Sequence, residues 1–219
     1  MSIRSHFDKN LAQLKQMLVD MASQSENAIK EAMFSFFNQD MKKAKQVIAR
    51  DYEIDEMEQE IHNKALQLIT RESPVAKDLR KINVAIKVSS EIERIGDMAV
   101  NIAKSVIQIG KEKPVKEFGD ILKMMELSLD MVRDALTAYY TEDISIAYQC
   151  AEKDDEVDQT FGKLVQKFLS YTPQDPNGMN QIIQLAFVCR FIERIADHST
   201  NIAENVIFLE TGERKNLNA

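Results

Sequence analysis

The chain has 219 residues, with only 6 glycines and 4 prolines. So few turn-formers exclude an all-β protein, which needs a turn every ~8–12 residues, and exclude collagen-like or Pro/Gly-rich disordered chains. A net charge of −7 and a pI of about 5.1 argue against general nucleic-acid binding, which needs clustered Lys and Arg against phosphate, so no nucleic acid is expected as a partner.

With 44% hydrophobic and 29% charged residues, the chain has material for a core, and long helices with few breaks are the natural inference. Periodicity predicts six of them. The first spans 4–37, and Asp40 is placed to cap the second, 41–70, after a tight turn. Pro74 separates it from the third, 75–109. Gly110 to Gly119, with Pro114 between, reads as the linker. The fourth spans 117–140, Asp143 caps the fifth at 143–171, and Thr172-Pro173-Gln174-Asp175-Pro176-Asn177-Gly178 precedes the sixth at 177–209. Cys150 and Cys189 fall in apolar helical patterns. They are expected as buried thiols in a reducing compartment rather than as a disulfide. No apolar run approaches the ~18 residues of a membrane span, and no signal core follows Met1, so a cytoplasmic location is expected.

The two sides of the linker repeat each other. Ile92-Glu93-Arg94-Ile95-Gly96-Asp97 returns as Ile192-Glu193-Arg194-Ile195-Ala196-Asp197, and 92–107 against 192–207 gives ten identities in sixteen positions. Asp51-Tyr52-Glu53-Ile54-Asp55 returns, at an offset of 103, as Asp154-Asp155-Glu156-Val157-Asp158. The expected fold is therefore all-α, with two tandem, internally duplicated three-helix bundles over residues 1–112 and 113–219.

Helical rotation places the acids. In the third helix Ile92, Ile95, Ala99, Ile102, Val106 and Ile109 form a seam; with Ile92 at zero, Glu93 lies at about 100° and Asp97 at about 140°, on one face turned away from it. Glu193 and Asp197 behave alike. Asp51 and Asp55 also share a face, with Glu58 and His62 further along it, where Phe161 and Val165 stand in the second copy beyond Asp154 and Asp158. If each pair of strips flanks one groove, four carboxylates converge per half. Like charges so close repel and raise one another's pKa unless cations intervene. All-oxygen sets suit Mg, Mn, Ca or Fe, and zinc more often includes N or S. The candidate metal ligands are Asp51, Asp55, Glu93, Asp97, Asp154, Asp158, Glu193 and Asp197. Taken singly, such a spacing is common on solvated helix faces; its duplication favours cation binding. His62 is the better histidine candidate, Asn101 and Asn201 lie one turn further along the strips, and His198 is rotated toward a surface or inter-helix position.

A catalytic constellation is not legible. The chain has no Gly-x-Ser-x-Gly elbow, no Gly-rich phosphate loop and no Glu-x-x-His of the di-iron bundles. A binding module without turnover is expected, and the alternatives are a carboxylate-bridged metallo-enzyme or a purely structural scaffold.

Two copies of Glu-Arg-Ile-x-Asp-x-x-x-Asn-Ile-Ala, at 93–103 and 193–203, resemble the PhoU family, and the Asp51/Asp55 and Asp154/Asp158 pairs match its other acidic motifs. Ala196 stands where glycine is usual, and Met98 stands opposite His198, which allows the two sites to differ. The resemblance implies a cytoplasmic negative regulator of high-affinity phosphate uptake and of the phosphate-starvation response. It would link the phosphate ABC transporter ATPase to a sensor kinase, form a homodimer, and carry iron or zinc clusters, or magnesium or manganese, on its acidic motifs.

Overall fold

A computed structural model describes residues 3–111, 119–171 and 176–217, with side chains from His6 onward. Its helices are α1 (Ile3–Asn38), α2 (Met41–Ala49), α3 (Asp51–Glu72), α4 (Lys77–Ile109), α5 (Gly119–Thr141), α6 (Ile144–Leu169) and α7 (Pro176–Thr211), and no strand occurs among the described residues. The all-α expectation holds. The expected Pro114 linker and the Thr172-Pro173 break lie outside the described residues.

One expected element differs. The helix predicted over 41–70 is interrupted at Arg50 (φ −100°, ψ 0°), where Arg50 N–H donates to Val47 O and Glu53 N–H to Arg50 O. The i,i+3 bonds tighten the chain for one turn. They leave Asp51 and Glu53 in the first turn of α3, where acidic side chains meet the positive end of the helix dipole. The counterpart helix α6 runs unbroken.

The corners before α2 and α6 are built alike. Gln39 and Glu142 take left-handed φ values of 52° and 57°, Asp40 N–H donates to Ser35 O at 2.9 Å, and Asp143 N–H donates to Ala138 O at 3.0 Å. This is the bond pattern of a Schellman helix end, and the residue after it at once caps the next helix. Asp40 accepts from Lys42 and Lys43 N–H at 3.0 Å, and Asp143 from Ser145 N–H at 2.8 Å. A left-handed non-glycine residue costs about 1 kcal/mol. Gln39→Gly should therefore stabilise the protein by up to about 1 kcal/mol, a melting-temperature rise of roughly 2–4 °C. Glu142→Gly should not, because Glu142 also accepts Lys15 at 3.1 Å and Lys81 at 2.8 Å, tying the α5–α6 corner to α1 and α4. Paired thermal melts distinguish the two.

Helices α1 to α4 pack on one another, as do α5 to α7, and the two groups meet chiefly along α4 and α7. That pair is antiparallel: Lys77 reaches Glu210, Glu91 reaches His198, and Asn180 reaches the carbonyl of Gln108. The predicted seam is its core. Ile92, Ile95, Ala99, Ile102 and Val106 are buried, as are Ile192, Ile195, Ser199, Ile202 and Val206, and one hydrophobic cluster runs through both halves. Cys150 and Cys189 are free, buried thiols, pushed up to about 12 by burial.

Candidate functional site

In the first half, α3 presents Asp51 and Asp55 to the face of α4 that carries Glu93 and Asp97. The carboxylates feel one another. Partial burial raises the pKa of Asp51, and Asp97 and then Asp55 raise it further. Asp55 is raised by desolvation, then by Asp97 and Glu58. Glu93 is pushed up to about 7 by desolvation, with Asp97, Glu58 and Asp55 adding to the rise and Arg94 opposing it. Glu58 thus belongs to this field. It accepts the Ser90 hydroxyl at 2.7 Å and stands 3.6 Å from His62 Nε2. Beside Asp51 the Arg50 break opens a cleft of about 410 Å³ between α1, α2, α3 and α4, with Gly96 in its wall. A Cβ at Gly96 would meet Ile54 Cδ1 at 2.9 Å, so glycine at this position lets α3 and α4 approach. The repeat offsets pair Ile54 and Gly96 with Val157 and Ala196, a smaller residue against a larger one, which explains why the second copy accepts alanine.

In the second half, α6 supplies Asp154 and Asp158 and α7 supplies Glu193 and Asp197. Asp154 and Glu193 are 8% and 7% exposed, far from a solvated face. Burial pushes Asp154 up to about 6, with Asp197 and Asp158 adding; the Thr200 hydroxyl beside it offsets part of the rise without a directional hydrogen bond. Glu193 is pushed up to about 7 by burial and by Asp197, with Arg190 opposing. Asp197 is raised by burial and Asp158, against Arg190, His198 and Arg194.

Each half thus gathers its four predicted acids into one electrostatic unit on two adjacent helices. Among the described residues no three His, Cys, Asp or Glu side chains close on a single point as one ion requires. The donor set nonetheless suits a cation. Asp154 Oδ1 and Glu193 Oε2 are buried without a hydrogen-bond partner, and an unsatisfied buried carboxylate oxygen is unfavourable by at least about 1–3 kcal/mol. A hard cation would meet both needs, charge and coordination.

The two sites are not equivalent. Arg190 donates to Glu193 Oε1 across one turn of α7, so an internal guanidinium already holds part of the second site. Its counterpart in the first half is Ser90, which serves Glu58 instead. The sequence offset of 100 pairs these positions, but the consequence depends on side-chain direction, which spacing does not carry. The same holds for Glu91. It accepts from His198 Nδ1 at 2.8 Å and from Asn201 at 3.2 Å, linking α4 to α7. His198 is therefore an inter-helix contact, and Asn201 serves Glu91.

The PhoU domain family matches this chain twice, over residues 18–106 and 121–206. The phosphate-specific transport system accessory protein PhoU homolog of Clostridium acetobutylicum is 36% identical over 216 residues, 98% of this chain and 99% of that protein. The Aquifex aeolicus protein of the same description is 36% identical over 94% of this chain and 93% of its own length. Among solved structures, the phosphate transport system regulatory protein PhoU from Streptococcus pneumoniae superposes with a TM-score of 0.89 at 28% identity, covering 96% of this chain and 99% of that one. PhoU from Pseudomonas aeruginosa gives 0.89 at 29%, covering 94% and 100%.

Proposed function

The chain belongs to the PhoU family, and from that premise we propose that it is a negative regulator of high-affinity phosphate uptake that links the transporter ATPase to a phosphate sensor kinase. It is an accessory protein of a phosphate-specific transport system, as its relatives are described. No helix among the described residues is long and apolar enough to cross a membrane. Its contact with the transporter is read as peripheral, and a cytoplasmic homodimer is carried over from the family resemblance.

The observation that carries this reading is the pair of PhoU domains, each with its coupled acidic site. We assign metal binding to Asp51, Asp55, Glu93 and Asp97 in the first site and to Asp154, Asp158, Glu193 and Asp197 in the second. Iron, zinc, magnesium or manganese fits such oxygen sets to differing degrees. A bound cation supplies positive charge that neutralises the carboxylates and ties the two helices of each site together. No turnover is assigned to these carboxylates.

Deleting the gene tests the regulatory role. Phosphate-scavenging genes should become expressed in phosphate-rich medium, and complementation with the intact chain should silence them. Unchanged expression after deletion would contradict the proposal.

A further inference from the structure

The geometry points to a third binding site, for a small anion bearing two or more phosphoryl groups, in the groove between α4, α7 and the segment after α7. This inference does not rest on the acidic sites or on the regulatory role, although Arg94 also acts on Glu93. The groove has a volume of about 420 Å³ and is lined by Lys87 and Arg94 from α4, Asn205 and Phe208 from α7, and Arg214 and Lys215 beyond it. Arg94, Arg214 and Lys215 are exposed and Lys87 is half-buried. On a chain of net charge −7, four cations face one hollow.

Two of these cations feel a neighbouring carboxylate, Arg94 that of Glu93 and Lys215 that of Glu213, without a salt bridge in either case. Lys87, Arg94 and Arg214 make no ion pair with a carboxylate among the described residues. Lys215 donates to the Tyr148 hydroxyl at 2.7 Å, with Glu213 nearby. Lys87 and Arg214 lie 5.8 and 5.7 Å from the Phe208 ring centroid, and Arg80 approaches the same ring at 5.9 Å. The groove's two carboxylates are already engaged. Glu91 accepts from His198 and Asn201, and Glu204 accepts the Leu217 N–H at 2.8 Å. Four cations against two carboxylates leave the groove with an excess of positive charge, which favours an anion.

The spacing selects the anion. Lys87 and Arg94 are seven residues apart, about 10 Å along α4, so a single phosphate ion cannot meet both without drawing the two charged ends together from their separate turns. A chain of phosphoryl groups can, and guanidinium forks match phosphate oxygens bidentately. A nucleotide base could stack on the Phe208 ring only by displacing one of the cations already over it. The shared chemistry is an oligophosphate, free or carried by a nucleotide.

Calorimetric titration of the full chain, stripped with chelator and kept free of divalent cations, tests this with sodium tripolyphosphate, ATP and orthophosphate. Tripolyphosphate should bind, and orthophosphate should bind at least about tenfold more weakly. Lys87→Ala and Arg94→Ala should each weaken tripolyphosphate binding by about tenfold, the loss of one charge-assisted contact. The triple variant K87A/R94A/R214A should abolish it. Lys45→Ala, on the exposed side of α2 away from the groove, should leave it unchanged, and thermal melts check that every variant is folded at the titration temperature. ATP binding tighter than tripolyphosphate would support base stacking on Phe208; equal binding would support recognition of the phosphates alone. No tripolyphosphate binding at millimolar concentration, a triple variant that binds like the parent, or orthophosphate that binds equally well would overturn the inference.

Discussion

Stripped of cations, the protein should be most stable at about pH 4, weaken as pH rises to about 7 and level off above it, and a divalent cation should remove that decline. The sign follows from the pKa shifts. Glu93 and Glu193 are raised to about 7 and Asp154 to about 6, above the ~4 of an unfolded chain. Below about pH 4 these groups are protonated in both states and cause no loss. Between there and pH 7 the unfolded chain ionises first, so stability falls as pH rises through the folded values. Glu142 acts oppositely. Lys81 and Lys15 overcome its burial and hold it at about 2, so its contribution is present above about pH 4.5 and is lost as pH falls towards 2. A cation bound only by the folded state adds about 2.7 kcal/mol per site at a hundredfold excess over Kd. At about 2–4 °C per kcal/mol, the melting temperature at pH 8 should rise by roughly 5–11 °C for each occupied site. At pH 5, where protons compete for the carboxylates, the rise should shrink. Arg190→Ser, which gives the second site the serine of the first, should enlarge the rise at pH 8 by freeing Glu193. Thermal melts at several pH values with manganese or zinc check this; a melting temperature indifferent to cations at pH 8 would refute the assignment of metal ligands.

The second large effect concerns the shared core. Ile95→Ala in α4 should lower stability by about 2–5 kcal/mol, as deletion of buried aliphatic groups does, because Ile95 is 1% exposed. The loss should also reach the other half. The core is continuous through α4 and α7, so separate melting would expose the apolar faces of both helices. The chain has no tryptophan, and four of its five tyrosines, Tyr139, Tyr140, Tyr148 and Tyr171, lie in the second half. Tyrosine emission therefore reports mainly on α5 to α7. In Ile95→Ala its transition should fall together with the far-ultraviolet circular dichroism. A tyrosine transition that stays at the parent temperature while the helical signal splits would show two independent units.

These predictions draw on features of unequal visibility in the sequence. The α4 seam and its α7 counterpart follow from residue spacing alone, since a 3–4 periodicity leaves one face to bury. The acidic pairs are legible for the same reason: residues i and i+4 share a face wherever the helix goes. The offset of 103 also pairs Asp40 with Asp143, and both cap helices. What periodicity does not carry is depth. Asp154 and Glu193 are expected on a face turned from the core, yet they are buried because α6 and α7 close over that face. The break at Arg50 is hidden because Arg50 itself is a good helix former, and it arises in the packing of α2 and α3 against α1 and α4. The Glu142 clamp, the Glu91–His198 contact and the basic groove join residues 60 to 130 positions apart in sequence. They exist only once the two halves dock, and no local pattern marks them.

The proposed role joins phosphate transport to phosphate sensing. Its most direct test is capture of the intact protein from phosphate-replete cells, followed by probing for the transporter ATPase and the sensor kinase. Both should be retained; retention of neither, or of only one, would overturn the proposed role.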